Sequence, residues 1–207
     1  MHDCIFTSHC TEVFCDKSCP TYVETSYLLE RNGIDMNSDV FKEFYSKLDD
    51  VTTKLSKSES GIQTFFVNSK DSVKVAEFVT YCEICKNWRG SRLHCTVYNL
   101  RYSKYIDDVK KSWSMKGEHE ELEYIRIWIE TAKVLIISHM DYVKFSDFEI
   151  QTLLNLLQSR QSGDKKTIII SPPVNRLVTS GGSSSNMFFE SLKQIMNSSK
   201  VGTVELT

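Results

Sequence analysis

No apolar run in this 207-residue chain approaches the roughly 18–20 residues that a membrane helix requires, so no membrane partner is expected. The first residues, Met1-His2-Asp3-Cys4, offer neither the basic start nor the apolar stretch of a secretory signal. Strong charge of one sign is missing too: a net charge of −2 gives no whole-molecule electrostatic argument for a nucleic-acid partner. The seven cysteines are odd in number and four of them crowd into residues 4–19, while the others fall in apolar segments. That usage fits a reducing compartment better than a secreted disulfide scaffold, and the expected location is cytoplasmic. No internal repeat is visible.

What is present is ordinary globular composition, 41% hydrophobic and 25% charged, in a chain long enough for one full α/β domain and a small appendage. Charge is unevenly spread. Residues 1–60 carry six Lys/Arg against eleven Asp/Glu, whereas residues 61–207 carry nineteen against sixteen. An acidic head and a mildly basic body suggest separate units. The expected division is a cysteine-rich module over 1–36, a helix and linker over 37–60, and an α/β domain over 61–207. Apolar residues recur at helical spacing between Val40 and Leu55, and Ser56-Lys57-Ser58-Glu59-Ser60-Gly61 reads as the linker.

From Gly61 onward strands and helices alternate. Strands are expected at 64–67, 94–100, 133–138, 167–171 and 201–206, and helices near 71–86, 103–113, 119–131, 145–160 and 186–198. Ser146 and Glu149 stand at capping-box spacing before the fourth of these helices. The strand segments are continuous apolar runs, such as Val134-Leu135-Ile136-Ile137 and Ile168-Ile169-Ile170. Such runs, alternating with helices, imply a parallel sheet covered on both faces.

The strand Ala132-Lys133-Val134-Leu135-Ile136-Ile137-Ser138-His139, the helix from Phe148 to Arg160 and the strand Thr167-Ile168-Ile169-Ile170-Ser171 occur in a particular succession. It resembles the AAA+ domain of bacterial replicative-helicase loaders of the DnaC/DnaI type, in which a Walker B strand leads to a helix ending in Arg and then to a sensor strand. The resemblance covers residues 62–206. It implies a five-stranded parallel sheet in the order 5-1-4-3-2 with helices on both faces, and a metal-binding module at the N-terminus.

It also identifies where nucleotide chemistry would reside, and those positions have lost it. A P-loop needs glycines whose N–H groups wrap phosphate, a Lys for the terminal phosphates and a hydroxyl for Mg²⁺. The aligned stretch is Asn68-Ser69-Lys70-Asp71-Ser72-Val73-Lys74-Val75. Lys74 keeps the lysine position as a degenerate nucleotide contact, but Asn68 and Val73 replace the glycines and Val75 the hydroxyl. Ser138 and His139 stand where an acidic pair would hold the metal, and Pro172 replaces the sensor Asn. No catalytic residue is assigned, no bound nucleotide is expected, and the chain is read as a non-enzyme, because phosphoryl transfer depends on those positioning charges acting together.

Two further features carry chemistry of their own. Cys4, Cys10, Cys15 and Cys19, interleaved with His2 and His9, can surround one tetrahedral ion; zinc is the expected metal and an iron–sulfur cluster the alternative. Cys82 and Cys85 form a second C-x-x-C, but inside a helical run that reads as packing. Residues 86–116 hold eight basic side chains opposed only by Asp107 and Asp108; among the eight, Arg89, Arg92, Arg101, Lys104, Lys110 and Lys111 are the candidate nucleic-acid contacts, and Trp88, Tyr102, Tyr105 and Trp113 are interleaved with them. Cations for phosphates and ring faces for bases suit single-stranded DNA; a solvated helix with Tyr105 and Trp113 on the core side is the competing reading.

The functional expectation is a non-catalytic AAA+-like adaptor in DNA replication, from a phage or other mobile element, whose partner is a replicative helicase or a helicase-loader ATPase. The alternatives are a nucleotide-dependent helicase-loading ATPase with an unusual P-loop and a zinc-stabilised interaction module unrelated to replication.

Overall fold

The computed structural model describes Asn32 and residues 64–69, 72–87, 97–114, 120–140, 143, 145–163, 165–171 and 201–205. The cysteine module with Cys4, Cys10, Cys15 and Cys19, the 37–60 segment, and the helix expected near 186–198 lie outside the described residues.

The elements run β1 (Thr64–Asn68), α1 (Ser72–Asn87), β2 (Val97–Arg101), α2 (Tyr102–Ser114), α3 (Glu120–Thr131), β3 (Val134–Ser138), α4 (Asp147–Ser162), β4 (Lys166–Ser171) and β5 (Val201–Glu205). All strand pairings are parallel, and the sheet order is β2-β3-β4-β1-β5. The α/β class and the parallel sheet are those expected from the alternation of apolar strands and helices.

The physical reason lies in the strand sequences. Successive side chains point to opposite faces, so a strand buried on both faces must be apolar at every position. Val134 to Ser138 are all buried, as are Thr167 to Ser171. Phe66, Leu135, Ile137 and Ile169 join one cluster with Ile106 of α2, Ile125 and Ile129 of α3, and Leu153 and Leu157 of α4. The alternate residues Phe65, Val67, Ile136, Ile168 and Ile170 are equally buried. They belong to the opposite face, and α1 packs across β2, β3 and β4 with Val75, Phe78 and Val79 buried. Full burial of one such side chain is worth about 1.5–3 kcal/mol, so these central strands dominate the stability of the domain.

Local signals agree with this packing. Glu149 closes the capping box of α4: its carboxylate accepts the Ser146 N–H at 2.8 Å and the Ser146 hydroxyl. Glu120, Glu121 and Glu123 occupy the first turn of α3, where the helix dipole favours negative charge.

Candidate functional site at the carboxyl ends of the strands

In open α/β sheets ligands bind beyond the carboxyl ends of the strands. Here the three central strands end at Asn68, Ser138 and Ser171. The stretch aligned with a P-loop is largely absorbed into regular structure. Asn68 pairs with Ser171 and Glu205 in the ladder, and α1 begins at Ser72, leaving only residues 69–71 as the connection. The Ser69 N–H donates to the Ser171 carbonyl at 3.1 Å and is therefore engaged within the protein. Lys74 lies half-buried in the first turn of α1, while Val75 and Ala76 are fully packed in the core. Among the described residues, the buried Ser171 hydroxyl has no hydrogen-bond partner.

At the end of β3, Ser138 is wholly buried. Its hydroxyl donates to Asn99 Oδ1 at 2.8 Å and lies 2.9 Å from His139 Nδ1. A hydroxyl has one proton; with that proton on the Asn99 bond, Nδ1–H of His139 becomes the donor toward Ser138 Oγ. The Asn99 N–H in turn donates to Asn32 Oδ1 at 2.8 Å. His139 has φ 58, in the left-handed region that few non-glycine residues occupy. The arrangement is a hydrogen-bonded chain running from Asn32 to His139. Its described side chains offer no carboxylate to a metal ion.

The arginine that ends α4 serves the opposite end of the sheet. Arg160 is buried and donates to Thr167 Oγ1 (2.9 Å) and to the carbonyls of Ile129 (2.7 Å), Ala132 (3.0 Å), Lys133 (3.4 Å) and Lys166 (2.7 Å). Burial draws its pKa down to about 10, which leaves it charged at neutral pH. All these acceptors lie just before β3 or at the start of β4. The β4 strand places Ser171 roughly 16 Å away, at about 3.3 Å per residue, so Arg160 is a clamp between chain segments.

Of the cations expected to meet nucleic acid, Arg89 and Arg92 lie outside the described residues. Lys104 pairs with Glu121 at 3.1 Å, Lys111 lies 3.8 Å from Asp108, and Lys110 pairs with the buried Glu149. Arg101 is exposed and makes no ion pair among the described residues. Tyr105 packs partly against the core, while Trp113 is 66% exposed and meets Phe148 edge-on at 4.7 Å. Buried Tyr102 donates to the Glu149 carbonyl at 2.5 Å, and burial raises its pKa beyond the usual tyrosine value. Cys82 and Cys85 lie within α1.

A cleft of about 720 Å³ opens beside the edge strand β2, between α2 and α3. Tyr98, Leu100, Ile125 and Trp128 contribute apolar lining, and Arg101, Lys104, Glu120 and Glu121 contribute charge. Tyr98 and Trp128 meet edge to face at 5.2 Å. Sequence reading marked the cations on α2 but missed this cleft, whose α3 wall has no distinctive motif. It also missed Asn32 and Asn99, whose bond spans 67 positions and leaves no local signal.

No family model matches the chain, and no curated protein matches it. A solved structure of a protein provisionally described as a primosome component, from Streptococcus pyogenes serotype M3, aligns with 92% of this chain and 90% of its own. The two share 15% sequence identity at a TM-score of 0.44, a likeness that carries no functional argument. Among the described residues, no helix is long and apolar enough to cross a membrane.

Proposed function

We propose that this chain is a non-catalytic AAA+-like adaptor in DNA replication, belonging to a phage or other mobile element, that binds a replicative helicase or its loader. The replication reading rests on the resemblance carried by residues 62–206, whose implied strand order 5-1-4-3-2 agrees with the order β2-β3-β4-β1-β5. The observation that carries the non-catalytic reading is the three-residue connection between β1 and α1, with Val75 buried behind it. Phosphate binding at such a position uses a glycine-rich loop with several inward N–H groups. Here Asn68 is held in the ladder, the Ser69 N–H is spent on Ser171, and an apolar side chain takes the place of the Mg²⁺-binding hydroxyl.

At the far wall, Ser138 is tied to Asn99 and His139 and supplies no full negative charge for metal or water. The cysteine head, with zinc or an iron–sulfur cluster on Cys4, Cys10, Cys15 and Cys19, would then serve assembly. Affinity purification of the tagged full chain from its host, followed by mass spectrometry, tests the partner. Enrichment of a replicative helicase or its loader, retained in Lys74→Ala, supports the reading. Enrichment of proteins unconnected with replication, without either, contradicts it.

A further inference from the structure

We propose that the cleft beside β2 and the exposed face of α3 together dock a basic amphipathic segment of a partner protein, with an apolar side chain of that segment entering the cleft. The proposal does not depend on which partner the preceding reading names. Three observations converge on it.

The first is the cleft. Its volume of about 720 Å³ falls in the range of pockets that hold discrete groups. Its apolar lining is anchored: Tyr98, Leu100 and Ile125 are buried in the domain core, and Trp128 packs against that core and the Tyr98 ring. Such a fixed aromatic wall receives an apolar anchor without first having to be ordered.

The second is the apolar pair outside it. Tyr124 is 58% exposed and lines the cleft, and Ile127, one turn further along α3, is 50% exposed. Together they extend the cleft along one face of the helix, the pattern met when a helix lays an apolar stripe into a groove.

The third is charge, which selects the occupant. Exposed Glu120 and Glu130 bracket the apolar pair; neither carboxylate has a partner among the described residues, and the Lys165 ammonium meets Glu130 at its backbone carbonyl. Glu121 and Glu123 are instead satisfied by Lys104 (3.1 Å) and Arg126 (2.5 Å). The ten-residue step from Glu120 to Glu130 spans about 15 Å of helix, a spacing that lysines or arginines three turns apart on a partner segment would match. On the opposite side of the cleft Arg101 repels such cations, so the basic residues belong along α3 and the apolar anchor in the cleft. A polyanion would meet Glu120 and Glu130 at the same place and be disfavoured.

The test uses the full chain and a synthetic fluorescent helix-forming peptide of about fourteen residues, ~21 Å long, with leucines on one face and lysines beside them. A control peptide carries glutamates in place of the lysines. Anisotropy should show the lysine peptide binding at least roughly tenfold more tightly than the control. The double variants Tyr124→Ala/Ile127→Ala and Glu120→Lys/Glu130→Lys should each weaken binding by about tenfold, a typical loss for central anchors. The charge variant should also flatten the salt dependence. All four positions are exposed, and unchanged circular-dichroism melting shows that each variant remains folded. Equal binding of both peptides, absent binding, or binding unmoved by the Tyr124→Ala/Ile127→Ala change would overturn the proposal. So would a single-stranded oligonucleotide that displaces the peptide and itself loses affinity in that variant.

Discussion

Replacing Arg160 by Met should destabilise the domain more than any single surface change. Arg160 is 3% exposed; Met roughly preserves its apolar stem and removes the guanidinium, which donates to one hydroxyl and four carbonyls. The bond to Lys133, at 3.4 Å, is weak and is set aside. Each remaining acceptor left buried without a donor costs about 1–3 kcal/mol. Water entering the gap recovers part of that cost, and the desolvation of the buried charge is no longer incurred. The net loss is therefore about 3–5 kcal/mol, a large share of the roughly 5–15 kcal/mol that holds an ordinary domain. Arg160→Lys keeps a charge but reaches fewer of the carbonyls and should fall between. Urea unfolding followed by far-ultraviolet circular dichroism reads the effect as a lower midpoint at unchanged slope. A loss below about 1 kcal/mol for Arg160→Met would refute the clamp and reopen a role for this arginine elsewhere.

Other expectations follow from the same contacts. Burial alone would raise the Glu149 pKa, but the Lys110 ammonium, the Ser146 hydroxyl and the Ser146 N–H outweigh it and hold the carboxyl at about 2 against an ordinary 4.5. Its stabilisation is thus present above about pH 4.5 and lost as pH falls toward 2; at up to about 3 kcal/mol by the shift, less for an exposed lysine partner, Glu149→Gln should flatten that part of the acid-unfolding profile. Asn99→Ala removes the side-chain acceptor of the buried Ser138 hydroxyl while keeping the N–H that Asn32 accepts, and should cost about 1–3 kcal/mol, read as a lower urea midpoint. The head should carry about one zinc per chain through Cys4, Cys10, Cys15 and Cys19; elemental analysis checks it, and an iron-linked visible band would select the cluster instead.

The fold was legible wherever burial on both faces left no choice of residue. Val134-Leu135-Ile136-Ile137 and Ile168-Ile169-Ile170 can only be interior strands, and helical periods between them require crossovers that keep the strands parallel. The Ser146–Glu149 cap was legible because its geometry is local. Contacts between distant segments were not. Arg160 clamps backbone carbonyls, which every residue possesses, so no sequence pattern marks its partners. Lys110 and Glu149 lie 39 positions apart, and the lysine reads locally as one cation of a basic stripe. Counting charges along one helix omits the carboxylates supplied by α3 and α4, Glu121 beside Lys104 and Glu149 beside Lys110. The residue types of the stretch aligned with a P-loop were readable in the sequence, whereas the pairing of Asn68 within β1 and the start of α1 at Ser72 emerged only from the backbone.

The central claim, that nucleotide turnover does not drive this protein, is tested most directly by Mg²⁺-dependent ATP hydrolysis of the purified full chain, with and without single-stranded DNA. The account predicts phosphate release indistinguishable from background in both conditions, and the same result for Lys74→Ala. Turnover that rises with single-stranded DNA and disappears in Lys74→Ala would contradict it and establish the chain as an ATPase.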